Sequence, residues 1–289
     1  MINIHSFLDN DTETFTHVLI DNNQQLCAII DPVLDFDPKA GKISHNNANI
    51  VIDFVKSQGL TLKYIIETHA HADHLSAAAY LKAQLGGDIV IGKHIDKVQK
   101  AFTNIYNLSD FATDASQFDI LTDEGSELLL GNLTITAMHL PGHTPADMAY
   151  QVSDGKNLVV FVGDTIFAPD VGTARCDFPN GSAEELYDSI QRLLALPDDT
   201  LLYLCHDYPP KGMRKYMPSV CVGEQKSHNI HVKTGISKDE FVRMRNERDK
   251  QLAVPRLILP AVQVNINAGE LPKSEANGVC YLKLPLNQL

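Results

Sequence analysis

Within six residues, His69-Ala70-His71-Ala72-Asp73-His74, the chain carries three imidazoles and a carboxylate. The run is bracketed by a short apolar segment at 64–67 that reads as a strand and by an Ala-rich stretch at 75–85 that reads as a helix closed by Gly86-Gly87. An irregular turn between strand and helix can fold around an ion and present ligands from two sides. Imidazole and carboxylate suit zinc, iron or manganese, and with no cysteine in the loop a thiolate-bound structural zinc is disfavoured. The plain alternative is a solvated polar loop, and it needs this pattern to arise by chance in a chain with 12 histidines.

The rest of the chain repeats one device. Residues 15–20 and 26–31 read as strands joined through Asp21-Asn22-Asn23-Gln24-Gln25, with helical spacing at 49–58 ending before Gly59. Strands are also expected at 88–91, 133–138, 158–162 and 201–204, and a helix at 182–196 with Ser182 and Glu185 as a reciprocal capping box. Four of these strands are followed within a few residues by His69, His143, Asp164 and His206. Strands of one sheet end along one edge, so sequence-distant ligands can meet there. The fold class expected is α/β.

Composition narrows the partners. With 44% hydrophobic and 21% charged residues the chain can bury a sizeable core, and no internal repeat or Gly/Ser-rich linker divides it. The expectation is therefore a single domain over 1–289, with a core at about 1–208 and a substrate-side extension at about 209–289. A formal net charge of −12 argues against nucleic acid or an anionic membrane as partner, and means that an anionic substrate needs a local basic pocket. No apolar run is long enough to span a bilayer and the N-terminus has no signal-peptide pattern. The five scattered cysteines suit reduced thiols, so a cytoplasmic location is expected.

The His-rich loop resembles the signature of the metallo-β-lactamase superfamily. Pro141-Gly142-His143-Thr144-Pro145 is similar to its second motif, Gly163-Asp164 to its bridging aspartate and Cys205-His206-Asp207 to its last histidine. The resemblance implies an αββα sandwich with a metal site along one edge of two sheets. A narrower likeness lies in Gly172-Thr173-Ala174-Arg175-Cys176-Asp177-Phe178 and in His206-Asp207-Tyr208, which resemble the persulfide (sulfur) dioxygenases, relatives of glyoxalase II. The tail, from Asn229-Ile230-His231 through Val262-Gln263-Val264-Asn265 to Tyr281, resembles the bacterial β-lactamase-hydrolase-like proteins.

Carried over by motif, the dioxygenase ligands are His69, His143 and Asp164, binding one Fe(II) per chain, with His71, Asp73, His74 and His206 orienting ligands or holding a second metal. Two His and one carboxylate is also the facial set of non-haem iron oxygenases. The implied reaction is glutathione persulfide plus O2 and water giving glutathione and sulfite. The alternative is a glyoxalase II-like dinuclear zinc hydrolase of glutathione thioesters, with His69, His71, His143 and Asp164 on one metal and Asp73, His74, His206 and shared Asp164 on the other. The resemblance also carries the expectation of a homodimer.

Other residues are read more modestly. Arg175 is expected either to pair with Asp177 or to shape the pocket wall, and Lys211, Arg214 and Lys215 are the candidates for holding a substrate's carboxylates. Asp147 stands where many of these dioxygenases have Cys, and is read as either a partner of the metal site or an exposed residue at a strand start. His5, His17, His45, His94, His139, His228 and His231 read as ordinary histidines, and Cys176 and Cys205 as packing residues.

Overall fold

Every residue of strand Thr14–Asp21 is buried, and its side chains alternate between two different cores. Val18 and Ile20 face one and Leu19 the other, as the two-residue period of a strand demands when both faces are covered. The computed structural model describes residues 2–288. Its first six-stranded sheet runs, in spatial order, Ile2–Asp9, Thr14–Asp21, Leu26–Ile30, Thr61–Ile66, Asp88–Gly92, Ile120–Thr122. The second runs Glu127–Leu130, Leu133–His139, Met148–Ser153, Leu158–Phe161, Leu201–Tyr203, Ser219–Cys221.

Three hydrophobic clusters show how the layers stack. One joins Ile29, Ile65 and Ile91 of the first sheet to Val51, Leu81, Phe102 and Val262 on helices. A second, made of strand residues alone, packs Leu19, Ile30 and Ile66 against Ile135, Tyr150 and Phe161 of the other sheet. The third joins Val160 and Leu202 to Leu186, Ile190 and Phe241 on helices. Helix, sheet, sheet and helix therefore lie in four layers. Each fully buried aliphatic side chain at these faces stabilises by roughly 1.5–3 kcal/mol, which is what keeps the two sheets in a fixed relation.

The expected elements are present with shifted ends. The helix expected over 75–85 is Ala78–Leu85, because Leu75 and Ser76 pair instead with Leu34 and Val33. The Ser76 hydroxyl then accepts from Ala78 N at 3.0 Å and so helps to start the helix. Ser182 does cap helix Ala183–Leu194, accepting from Glu185 N at 3.2 Å, but the box is not reciprocated. Its own N–H goes to the Gly142 carbonyl at 2.8 Å, tying the helix start to the Pro-Gly-His turn. The complete capping box lies at Ser237 and Glu240, which the sequence reading passed over. Among the described residues no helix is long and apolar enough to cross a membrane.

Candidate metal centre

The strands Leu26–Ile30, Thr61–Ile66 and Asp88–Gly92 are parallel, as are Leu158–Phe161 and Leu201–Tyr203, so their carboxyl ends point to common edges. The two edges meet where Thr14 forms an antiparallel bridge to His206 and Phe15 N donates to the Cys205 carbonyl at 2.7 Å. His69, His143, Asp164 and His206 all lie just beyond strand ends at this seam. The turn that carries His143 needs its glycine: Gly142 has φ +145°, and a Cβ there would lie 2.3 Å from the Leu186 backbone.

Four overlapping groups of potential ligands form among the described residues, and two of them carry the expected donors. His69, His143 and Asp164 make one, and His71, Asp73, His74 and His206 the other. Asp164 sits between them. Its Oδ2 is 3.8 Å from His69 Nε2 and 3.7 Å from His143 Nε2, and its Oδ1 is 3.4 Å from His206 Nε2. Asp73 Oδ2 is 3.1 Å from His206 Nε2. The dinuclear expectation placed His71 beside His69 and His143, and the His71 ring stands between the two groups, 4.0 Å from that of His69 and 4.2 Å from that of His74.

The far side of four of the five rings is held, His74 being the exception. His143 Nδ1 donates to the Arg175 carbonyl at 2.8 Å, and His206 Nδ1 hydrogen-bonds Thr14 Oγ1 at 3.1 Å. Thr68 spends its hydroxyl hydrogen on Asp31, so at 3.0 Å it accepts from His69 Nδ1. His71 Nε2 donates to Asp31 Oδ1 at 3.0 Å and lies 3.2 Å from Glu67 Oε2. These contacts set the tautomers and leave the opposite nitrogens with lone pairs facing inward.

What remains inside is unusual for a protein interior. His69 Nε2, His71 Nδ1, Asp73 Oδ2, His74 Nε2, Asp164 Oδ1 and His206 Nε2 are buried with no hydrogen-bond partner. Leaving one such group unsatisfied costs about 1–3 kcal/mol, and six around one space is a large concentration of that cost. Nitrogen and carboxylate oxygen at mutual separations of 3–4 Å fit a first-row transition metal, whose bonds to them run about 2.0–2.2 Å. The electrostatics agree at His69 and Asp73, whereas at His71 burial is outweighed by Asp31 and Glu67, which hold its imidazole well above the usual histidine range. Burial, reinforced by the neighbouring imidazoles, holds His69 well below the usual histidine range and so favours its neutral, ligating form. Burial alone would raise Asp73, but His206 and His74 bring its carboxyl well below the usual range.

Several expectations need correcting. Asp147 is not an exposed strand-start residue: it is buried and accepts from Thr144 N at 2.7 Å and from the Thr144 hydroxyl, bracing the turn after His143. Burial, only partly offset by His143, raises its carboxyl to about 6. Arg175 pairs with Asp177 at 2.5 Å, donates to the Ala253 carbonyl at 2.7 Å, and also lines the cavity over the site. Arg214 is committed to Asp170 and Asp207, with contacts of 2.6–2.8 Å, and none of Lys211, Arg214 and Lys215 lines that cavity. Arg214 instead braces buried Asp207 and through it the His206 loop.

The cavity itself, about 400 Å3, opens over Asp73, His143 and Asp164 between the apolar walls of Phe167, Val171 and Leu252. Besides Arg175, its cationic groups are Arg245, Arg248 and Arg256, none of which the sequence pattern singles out. Arg245 is buried and paired with Asp249, whereas Arg248 and Arg256 are exposed and have no ion-pair partner among the described residues. Nothing local marks them, since they follow the loop ligands by more than a hundred residues and gain meaning only by where helix Lys238–Asp249 packs. Of the histidines read as ordinary, His17 is buried and donates to the Leu204 carbonyl at 2.9 Å, and His231 accepts from Thr173 N at 3.0 Å. Cys176 and Cys205 are buried and unbridged.

Comparison with known proteins places this geometry. Residues 17–206 match the sequence profile of the metallo-beta-lactamase superfamily. A protein of Burkholderia pseudomallei (strain 1710b) named as a metallo-hydrolase is 48% identical over 99% of this chain and 99% of its own length. A beta-lactamase hydrolase-like protein of Xylella fastidiosa is 47% identical over 99% of this chain, which spans 65% of that relative. The mitochondrial persulfide dioxygenase ETHE1 of Homo sapiens is 27% identical over 89% of this chain and 84% of its own length. Among solved structures, ETHE1 from Myxococcus xanthus aligns with a TM-score of 0.73 and 29% identity, covering 93% of this chain and 100% of that one.

Proposed function

This chain belongs to the metallo-beta-lactamase superfamily, and within it we propose an iron-dependent persulfide dioxygenase that takes glutathione persulfide or a related thiol persulfide. The observation that carries the reading is the seat of His143. Its Nδ1 is held by the carbonyl of Arg175, inside the same 172–178 segment that resembles the persulfide dioxygenases, and its Nε2 converges with His69 and Asp164. Two imidazoles and one carboxylate are the donor set of non-haem iron oxygenases. Likeness to ETHE1 in both sequence and structure supports the same reading.

In this mechanism His69, His143 and Asp164 would hold one Fe(II), which when bound supplies the O2 chemistry that no side chain here can perform. The chain's own work is positioning. The Thr68 hydroxyl and the Arg175 carbonyl orient the His69 and His143 rings, and Phe167, Val171 and Leu252 form an apolar wall that limits water around the outer sulfur. Arg248 and Arg256 stand at the mouth, where cations can attract the carboxylates of a glutathione moiety despite the net charge of −12. The reaction balances as glutathione persulfide, O2 and water giving glutathione, sulfite and two protons.

Protein purified without added metal is expected to contain about one iron per chain and to consume oxygen with glutathione persulfide but not with glutathione. Two zincs with rapid thioester hydrolysis, or no oxygen uptake when iron-replete, would reject the reading. Charge reversal at Arg248 or Arg256 is expected to raise KM about tenfold, some 1.4 kcal/mol of lost substrate binding, with kcat little changed. The same reversal at Lys211 or Lys215 is expected to leave KM alone. Equal effects at all four positions would show a diffuse field in place of a defined contact.

One observation keeps a second reading in view. Asp73 Oδ2, His74 Nε2 and His206 Nε2 are also buried without partners, which suits a second cation and hence a dinuclear zinc hydrolase of glutathione thioesters. The relative named as a metallo-hydrolase is compatible with it.

A further inference from the structure

Far from the metal loop in sequence, and outside residues 17–206, helix Ile258–Asn265 ends in a buried asparagine that grips the loop's backbone. Asn265 Nδ2 donates to the carbonyls of both His71 and His74 at 2.8 Å, and its Oδ1 accepts from Ser76 N at 2.8 Å. One side chain thus spans the loop from its second histidine to the start of the next element. Ser76 passes the contact on, its hydroxyl donating to Glu67, the carboxylate beside His71 Nε2.

The helix that carries Asn265 is itself firmly seated. Ala261, Val262 and Val264 are buried in the core under the first sheet, and Tyr106 donates to the Leu259 carbonyl at 2.9 Å. Gly269, just beyond, lies so close to the metal-loop side that a Cβ would meet Ser76 O and Ala79 N at 3.1 Å. The loop has no regular secondary structure to hold its carbonyls between 69 and 74, so its shape depends on such outside partners.

We propose that Asn265 is a positioning residue of the metal centre: by clamping the His71 and His74 carbonyls, the C-terminal helix holds the loop in its metal-binding shape. The inference rests on the metal-centre reading but not on which reaction follows. A partner that orients ligands from outside their own sphere typically accounts for about 10- to 100-fold in metal affinity.

Asn265→Asp tests it, since aspartate has the same shape and keeps the acceptor but turns oxygen toward two carbonyls. Gln263→Ala serves as the control, because Gln263 lies on the same helix but anchors Lys283 and not the loop. Metal-free wild type and variants would be titrated with Zn(II) and, anaerobically, with Fe(II), and the melting temperature of each metal-free protein measured. The expected result is a loss of about tenfold or more in affinity for Asn265→Asp, with a metal-free melting temperature near wild type and normal binding by Gln263→Ala. Wild-type affinity in Asn265→Asp would overturn the clamp, whereas wild type that binds neither metal would overturn the metal centre itself. If Asn265→Asp does not fold, Asn265→Ala is read in the same way. Failure of both to fold would also overturn the proposal, making Asn265 a residue of the general core.

Discussion

His143→Ala is expected to strip the protein of tightly held metal and to abolish turnover, while leaving the fold in place. Its Nε2 faces Asp164 Oδ2 at 3.7 Å, and its ring stands 5.2 Å from that of His69, so alanine removes one of three donors from the first group. The side chain's hydrogen bond is to the carbonyl of Arg175, a residue that lines the open cavity, so this carbonyl can be hydrated when the ring is gone. Losing a direct ligand should cost more than the 10- to 100-fold typical of an outer partner, so affinity is expected to fall by more than about 100-fold. Elemental analysis after dialysis, paired with thermal denaturation of the metal-free protein, checks both halves. Retention of wild-type metal content would remove His143 from the ligand set and with it the iron reading.

The second substitution separates the two chemistries. In the mononuclear reading His206 orients groups around the site; in the dinuclear reading it is a direct ligand of the second metal. Its Nε2 lies 3.1 Å from Asp73 and 3.4 Å from Asp164, close enough for either role. With one iron held by His69, His143 and Asp164, His206→Ala should cost roughly 10- to 100-fold in affinity or activity but leave near-stoichiometric metal at saturating iron. With two zincs the same change empties one site and halves the metal content. The first outcome is expected. Half of a two-metal complement lost, with thioester hydrolysis abolished, would make this chain a hydrolase.

The substrate side was the least legible part of the sequence. Lys211, Arg214 and Lys215 drew attention as a cationic run just after His206, yet Arg214 is spent on Asp170 and Asp207. A charge run says nothing about which acids lie opposite it in space. Arg248 and Arg256 were silent for the same reason, because their place at the cavity is set by where helix Lys238–Asp249 and the turn after it pack. Asp147 was read as either partner or surface residue, and burial decided it: the carboxylate closes on Thr144 beneath the His143 turn.

By itself the sequence determined the donors and the elements that carry them, and the αββα layering came only from the resemblance. Period-two and 3.6-residue patterns depend only on how side chains leave a strand or a helix, so seven of the fifteen described strands and three of the seven helices, and the metal loop between two of them, could be read locally. The motifs determined which side chains are available, since His69, His143, Asp164 and His206 each follow a strand and strands of a sheet share an edge. Only the tertiary structure decided what surrounds them. The Arg175 carbonyl behind His143, Asp31 behind His71 and Asn265 across the loop come from segments 32, 40 and 194 residues away. Such contacts are selected by the packing of whole layers, where burying apolar area fixes the backbone first and polar partners must then fit the space that is left.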